Sequence, residues 1–140
     1  KNVLILGAGL VGLELAIYLS MLGRKVTVVE MLGSISDGGN MLHAIGLKVE
    51  LKKRGVDLHF NTKAVRIDAD GVRCENADGE VFFPADTVIY AVGQKPLQEE
   101  ALALRFCAPE FYQIGDCVAA KNITNATGTA FTVARDIGRF

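Results

Sequence analysis

The chain has 140 residues, half of them apolar, with 15 basic against 16 acidic side chains and a formal charge of −1. That length and apolar content suit one domain with a packed core, and the near-neutral balance gives no electrostatic reason to expect nucleic acid or an anionic membrane. No apolar run approaches the length of a spanning helix and no cleavable signal is visible. Cys74, Cys107 and Cys117 are odd in number and form no C-x-x-C pair, so neither a disulfide framework nor a zinc site is indicated, and a reducing cytoplasm is the expected compartment.

Val3-Leu4-Ile5-Leu6 predicts a buried strand that leads directly into Gly7-Ala8-Gly9-Leu10-Val11-Gly12. A first helix follows over about Leu10 to Leu22, with Val11, Leu15, Leu19 and Leu22 at helical spacing and Gly23 ending it. A second apolar run, Val26-Thr27-Val28-Val29, ends on Glu30, and turn formers then fill Gly33 to Gly39, a loop expected to be mobile. Asn40 to Arg54 reads as a second helix with Asn40 as its N-cap, Leu42, Ile45 and Val49 on one face, and Gly55 as its close. Val56 to Phe60 is a short strand. From Thr62 to Ala91 the pattern changes to alternating pairs, Val65/Ile67, Val72/Cys74 and Val81/Phe83, around turns at Asp70-Gly71 and Asp78-Gly79, as in an antiparallel meander. Val88 to Gly93 then reads as a buried strand returning to the parallel sheet. Tyr112-Gln113-Ile114 predicts a last short strand and Thr124 to Ile137 a closing helix.

The fold class expected is therefore α/β: a Rossmann-like parallel sheet with helices on both faces and a three-stranded antiparallel β-meander inserted in its crossover. In such sheets ligands sit beyond the carboxyl ends of the strands, where Gly7 to Gly12, Glu30 and Gly93 converge. Gly7 permits the tight turn off the strand, Gly9 has no side chain to keep a pyrophosphate from the backbone, and Gly12 lets the helix approach the sheet. The amides of Leu10, Val11 and Gly12 then face the ligand at the positive end of the helix dipole. Glu30, eighteen residues after Gly12, is placed to accept both hydroxyls of an adenosine ribose. Met31, Leu32 and Gly33 offer no cation to a 2′-phosphate, so NADH is expected over NADPH. Strand, glycine triplet, helix and acid in that order form the context that this motif requires.

Three segments together resemble the two-dinucleotide flavoprotein reductases, also called pyridine nucleotide-disulfide oxidoreductases: Gly7-Ala8-Gly9-Leu10-Val11-Gly12-Leu13-Glu14, Asp86 through Pro96, and Tyr112-Gln113-Ile114-Gly115-Asp116-Cys117. More narrowly, the chain is similar to the carboxy-terminal region of the NADH:flavin oxidoreductases that include 2,4-dienoyl-CoA reductase and trimethylamine dehydrogenase. The resemblance implies that residues 1–96 bind NAD(H), and that residues 97–140 are the crossover and a carboxy-terminal remnant of an FAD-binding domain. It implies that Ala91, Val92 and Gly93 pass behind the nicotinamide cofactor, that Gly115 and Asp116 meet the ribityl chain of FAD, and that Glu14, expected in the first helical turn, lies near the nicotinamide. The partners implied are a dinucleotide and the rest of a parent flavoenzyme. A buried strand that starts at residue 2 without an initiator Met leads to the same expectation, a parent that continues on both sides.

Departures from that family are informative. No C-x-x-C lies in the nicotinamide segment, the connection from Pro96 to Tyr112 is short, and the flavin domain's own amino-terminal glycine motif is missing. The isolated chain is expected to be inactive, the parent to pass hydride from NADH to flavin in the manner of an enoate or dienoyl-CoA reductase or an NADH oxidase. The alternative is an NAD(H)-binding sensor or interaction module without redox turnover. No acid–base residue is nominated as catalytic, and the sequence sets no oligomeric state. His43 and His59 lack a carboxylate partner at interpretable spacing, Asp68-Ala69-Asp70-Gly71 fits a hairpin better than a calcium loop, and Lys48, Lys52, Lys53 and Arg54, with Glu50 among them, fit a solvated helix face.

Overall fold

The apolar run at the start of the chain becomes an inner strand of a parallel sheet. In a computed structural model, which describes residues 1–35 and 40–139, β1 (Asn2–Leu6) lies between β2 (Lys25–Val29) and β7 (Thr87–Tyr90), and β3 (Asp57–His59) flanks β2, giving the order β3-β2-β1-β7. All three pairings are parallel. Because side chains alternate across a strand, Val3 and Ile5 enter one core while Leu4 and Leu6 enter another on the opposite face. A strand buried on both faces needs an unbroken apolar run, which is what residues 3–6 supply.

The first face is covered by α1 (Leu10–Met21) and α2 (Met41–Lys53), whose Leu13, Ala16, Leu47 and Leu51 join Val26, Val28 and Val56. Leu13 and Leu51 are fully buried, each worth about 1.5–3 kcal/mol relative to exposure. The helices lie where the sequence places them, but their inward faces differ from the expected ones. On α1 the buried residues are Gly12, Leu13 and Ala16, with Leu15 and Leu19 packed at the margin, while Val11 and Leu22 are exposed. On α2 the expected stripe of Leu42, Ile45 and Val49 faces outward, and Ala44, Leu47 and Leu51 face the sheet. Asn40 caps α2 as expected, its side-chain oxygen accepting from the His43 amide at 3.1 Å. Of the loop predicted over Gly33–Gly39, residues 36–39 lie outside the described ones.

The second face is covered by the meander: β4 (Lys63–Asp68), β5 (Gly71–Asn76) and β6 (Gly79–Pro84), antiparallel in the order β4-β5-β6. Val72 and Cys74 of β5 are fully buried against Leu4, Leu6 and Val29. Val65 and Ile67 stay exposed, since β4 is an edge strand with a register shift between Ala64 and Arg66. Burial pushes the Cys74 thiol up, whereas Cys107 is exposed. A thiol-alkylation time course should therefore label Cys107 in the native chain and Cys74 only on unfolding, because thiolate fraction and access control the reaction.

On the meander, Asp68 meets Arg66 Nε at 2.7 Å and Arg73 Nε at 2.9 Å, and Arg73 continues to Glu80 at 2.7 Å. Hydrogen bonds from Arg66 and then Arg73 hold the Asp68 carboxyl below its usual value, against the opposing effect of burial. A carboxyl lowered in the folded state stabilises the fold above its unfolded pKa, and that contribution is lost as pH falls through the folded value. Thermal stability should therefore decline below about pH 4, and Asp68→Asn should flatten that part of the profile.

β7 pairs with β1 as the return strand predicted from Val88 onward, yet it is the edge of this sheet rather than a buried strand: Val88 and Ile89 are half-buried, and Tyr90 and Val92 are exposed. The chain divides into two units, Lys1–Gly93 and Gln94–Phe140. The second contains a short helix α3 (Gln98–Leu102), a 3₁₀ turn at Gly115–Cys117, and α4 (Ile123–Asp136), capped by the Asn122 side chain at 2.9 Å from the Asn125 amide. Tyr112–Ile114 is not a strand here. Ile114 has an extended backbone, φ −139 and ψ 162, but no strand occurs among the described residues of this unit to pair with it. None of its described residues is buried, and Phe106, Ile123 and Phe131 are largely exposed.

Candidate functional site: the carboxyl edge of the parallel sheet

The turn from β1 into α1 is shaped by backbone contact. Gly7 has φ +105, and a Cβ there would stand 2.5 Å from the Ala91 carbonyl oxygen; one on Gly12 would stand 2.2 Å from the Gly7 carbonyl oxygen. Both are distances that real Cβ atoms do not show. The first and third glycines are thus required by the close passage of β1, α1 and the end of β7, and Ala91 N–H donates to the Leu6 carbonyl at 2.7 Å in the same place.

Gly9 differs from both. Its backbone, φ −75 and ψ 172, is one that any residue adopts, and a Cβ there would meet nothing within 4 Å. The second glycine is therefore not explained by packing. It fronts open space at the start of a twelve-residue helix. The first amide of α1 to reach a carbonyl is that of Leu13, which donates to Gly9 at 3.0 Å. No side chain among the described residues caps the helix. The amides of Leu10, Val11 and Gly12 are left without intrahelical acceptors, an arrangement that, with the helix dipole, favours an anion.

Glu30 follows β2 directly and turns back toward this loop. Its carboxylate accepts from the Ala8 amide at 2.7 Å and from the Leu32 amide at 2.8 Å. Two of about four lone-pair positions are so engaged, leaving acceptor capacity for a diol. The acid thus stands beside the glycine turn. The Ala8 and Leu32 amides were not foreseen as its partners, and only Ala8's place between the first two glycines hinted at a role.

The other expected residues are distributed unevenly. Ala91 and Val92 adjoin Gly7, with Ala91 Cβ also near Gly12. Gly93, φ +104, follows them at the end of the first unit. Glu14 is not in the first turn, because α1 begins at Leu10. It lies one turn further on, exposed, with Oε1 2.8 Å from His43 Nε2. His43 thereby has the carboxylate partner that the sequence did not show, and so in part does His59, whose Nε2 lies 3.2 Å from Asp57 Oδ2 without hydrogen-bond geometry. The His59 ring packs edge-on against Phe83 at 4.7 Å. Gly115 and Asp116 sit in the second unit, Asp116 exposed and Gly115 N–H 3.4 Å from Thr129 Oγ1. Among the described residues there is no cluster of His, Cys, Asp and Glu able to hold a metal ion, and no helix long and apolar enough to cross a membrane.

These residues fit a dinucleotide: a diphosphate against three free amides over a residue with no side chain, and a ribose against a carboxylate with spare lone pairs. Comparison with known proteins agrees. Residues 1–130 match the family model described as pyridine nucleotide-disulphide oxidoreductase. The chain is 36% identical over 116 residues to a bilirubin reductase of Mediterraneibacter gnavus, covering 83% of this chain and 18% of that protein. It is 31% identical over 139 residues to an NADH oxidase of Thermoanaerobacter brockii, covering 98% of this chain and 21% of that one. A solved structure of 2-naphthoyl-CoA reductase with 2-naphthoyl-CoA superposes with a TM-score of 0.82 at 28% identity, over 93% of this chain and 20% of the other. The chain thus spans about a fifth of the length of each of these three proteins. With the glycine turn, the free helix amides and the acid in place, and with nine-tenths of the sequence inside the match, the chain belongs to the pyridine nucleotide-disulphide oxidoreductase family.

Proposed function

We propose that the chain is the NAD(H)-binding region of an FAD-dependent NADH oxidoreductase of the NADH:flavin oxidoreductase type. The observation that carries this is Gly9, a glycine that neither backbone strain nor packing demands, fronting three amides with no partner among the described residues, beside Glu30. The diphosphate of NADH lies on Leu10, Val11 and Gly12, its adenosine ribose on Glu30, and its nicotinamide end along Ala91, Val92 and Gly93. Gly115 and Asp116 are assigned to the flavin ribityl chain. The lack of any buried residue among the described ones of their unit, with Phe106, Ile123 and Phe131 exposed, supports reading residues 97–140 as part of a domain completed elsewhere in a longer protein.

Hydride chemistry belongs to the two cofactors when bound. The chain's share is to fix position, since holding donor and acceptor rings at reacting distance removes much of the entropic barrier. No proton transfer from Glu14 or His43 is required. The relatives' names, bilirubin reductase and NADH oxidase, support an acceptor chosen outside this chain. Three free cysteines fit a reducing cytoplasm.

The test is anaerobic addition of NADH to the flavin-loaded longer protein. Loss of the oxidised-flavin absorbance is expected. Tight NADH binding with no flavin bleaching would instead establish a nucleotide sensor.

A further inference from the structure

Glu30 does not hold its place alone. The last residue of β3 and the three that follow run alongside the turn that carries it. Glu30 N–H donates to the His59 carbonyl at 2.8 Å, Thr62 N–H to the Glu30 carbonyl at 2.9 Å, and Asn61 N–H to the Leu32 carbonyl at 3.0 Å. Leu32 N–H in turn donates to the Glu30 carboxylate. Thr62, 3% exposed, is buried with its hydroxyl donating to the Phe60 carbonyl at 2.9 Å.

Along an extended strand successive amides point to opposite edges, yet the amides of Asn61 and Thr62 both reach the same turn. The backbone must therefore reverse its sense between them, and it does so at Asn61. With φ +51, Asn61 is the one non-glycine among the described residues in the left-handed region. Asparagine tolerates that region, whereas an ordinary side chain is disfavoured there by roughly five- to thirtyfold in population. The Asn61 side chain also closes over the turn's exit: its Oδ1 lies 3.2 Å from where a Cβ on Gly33 would stand.

We propose that Asn61 is the positioning residue of the nucleotide-reading acid: its left-handed backbone aims two successive amides at the Glu30–Leu32 turn, and through Leu32 sets the direction of the Glu30 carboxylate. NADH specificity then depends on a residue that does not touch the nucleotide. The inference rests on the function proposed above, but the placement of Glu30 is measurable without any ligand.

The experiment compares Asn61→Gly and Asn61→Val in the full chain by two readouts: amide hydrogen exchange at Ala8 and Leu32 with no ligand present, and titration with NADH and NADPH. Asn61→Gly keeps the left-handed backbone and should retain both the protection and the preference for NADH. Asn61→Val should speed exchange at Ala8 and Leu32 and weaken NADH by about five- to thirtyfold, with a smaller loss for NADPH. Should the valine variant not fold, Asn61→Ala carries the same prediction with less steric strain. Wild-type exchange and wild-type preference in Asn61→Val, or in Asn61→Ala where that variant stands in, overturn the proposal. So does an Asn61→Gly variant that loses both, since the side chain would then be responsible. Protection that depends on Asn61 in a chain that binds neither dinucleotide upholds the positioning of Glu30 and defeats the function proposed above.

Discussion

Gly9→Asp is expected to stabilise the fold and abolish dinucleotide binding at once. The Gly9 backbone already has N-cap geometry and its side-chain space is empty. An aspartate there can accept from the amides that α1 leaves free, gaining a few tenths to about 1 kcal/mol through capping and the helix dipole. The same carboxylate occupies the anion site. A diphosphate brought to about 4 Å of it is opposed by roughly 4 kcal/mol at an effective dielectric near 20, about a thousandfold in affinity. Thermal denaturation and NADH calorimetry on one preparation check both signs. A purely structural turn predicts the rise in stability alone, so the opposed signs separate a binding loop from a packing loop. Gly12→Ala offers no such separation, because its Cβ would collide with the Gly7 carbonyl and disturb the fold itself.

The second large effect is the choice between NADH and NADPH. A 2′-phosphate placed about 4 Å from the Glu30 carboxylate meets a repulsion of roughly 4 kcal/mol at the same dielectric, and Met31, Leu32 and Gly33 bring no cation to offset it. The chain should bind NADH at least a hundredfold more tightly than NADPH. Glu30→Ala should weaken NADH by about 1–3 kcal/mol, through two lost charge-assisted hydrogen bonds, and bring the two cofactors close to equal affinity. Because the carboxylate also accepts from Ala8 and Leu32, the substitution should raise amide exchange at both positions. Equal affinities for NADH and NADPH in the unaltered chain remove Glu30 from the site.

The glycine turn and the acid were legible in the sequence because each is local: a strand, a turn and a helix start within a dozen residues, and a second strand ends on a carboxylate. The meander was legible for the same reason, through its two Asp-Gly turns. What periodicity could not settle was the inward face of α2. Leu42, Ile45 and Val49 have the same spacing as Ala44, Leu47 and Leu51, so two apolar stripes compete and only tertiary contact selects between them. The apolar run from Val88 to Val92 likewise predicted β7 as buried, whereas at the edge of the sheet it leaves Tyr90 and Val92 exposed. Tyr112–Ile114 has strand-forming residues but no partner strand among the described residues of its unit, and pairing, not propensity, makes a strand. Contacts between distant residues were out of reach altogether. Glu14 and His43 are 29 residues apart, and the role of Asn61 arises from a backbone angle that its neighbours in sequence do not announce.

The central claim is that the amides opening α1 hold a diphosphate. It is tested most directly by following the backbone ¹⁵N–¹H resonances of Leu10, Val11 and Gly12 during an NADH titration, with Gly23, beyond the far end of α1, as a distant control. All three should move together along one saturating curve while Gly23 stays still. Saturable NADH binding that leaves these three resonances in place would contradict the account.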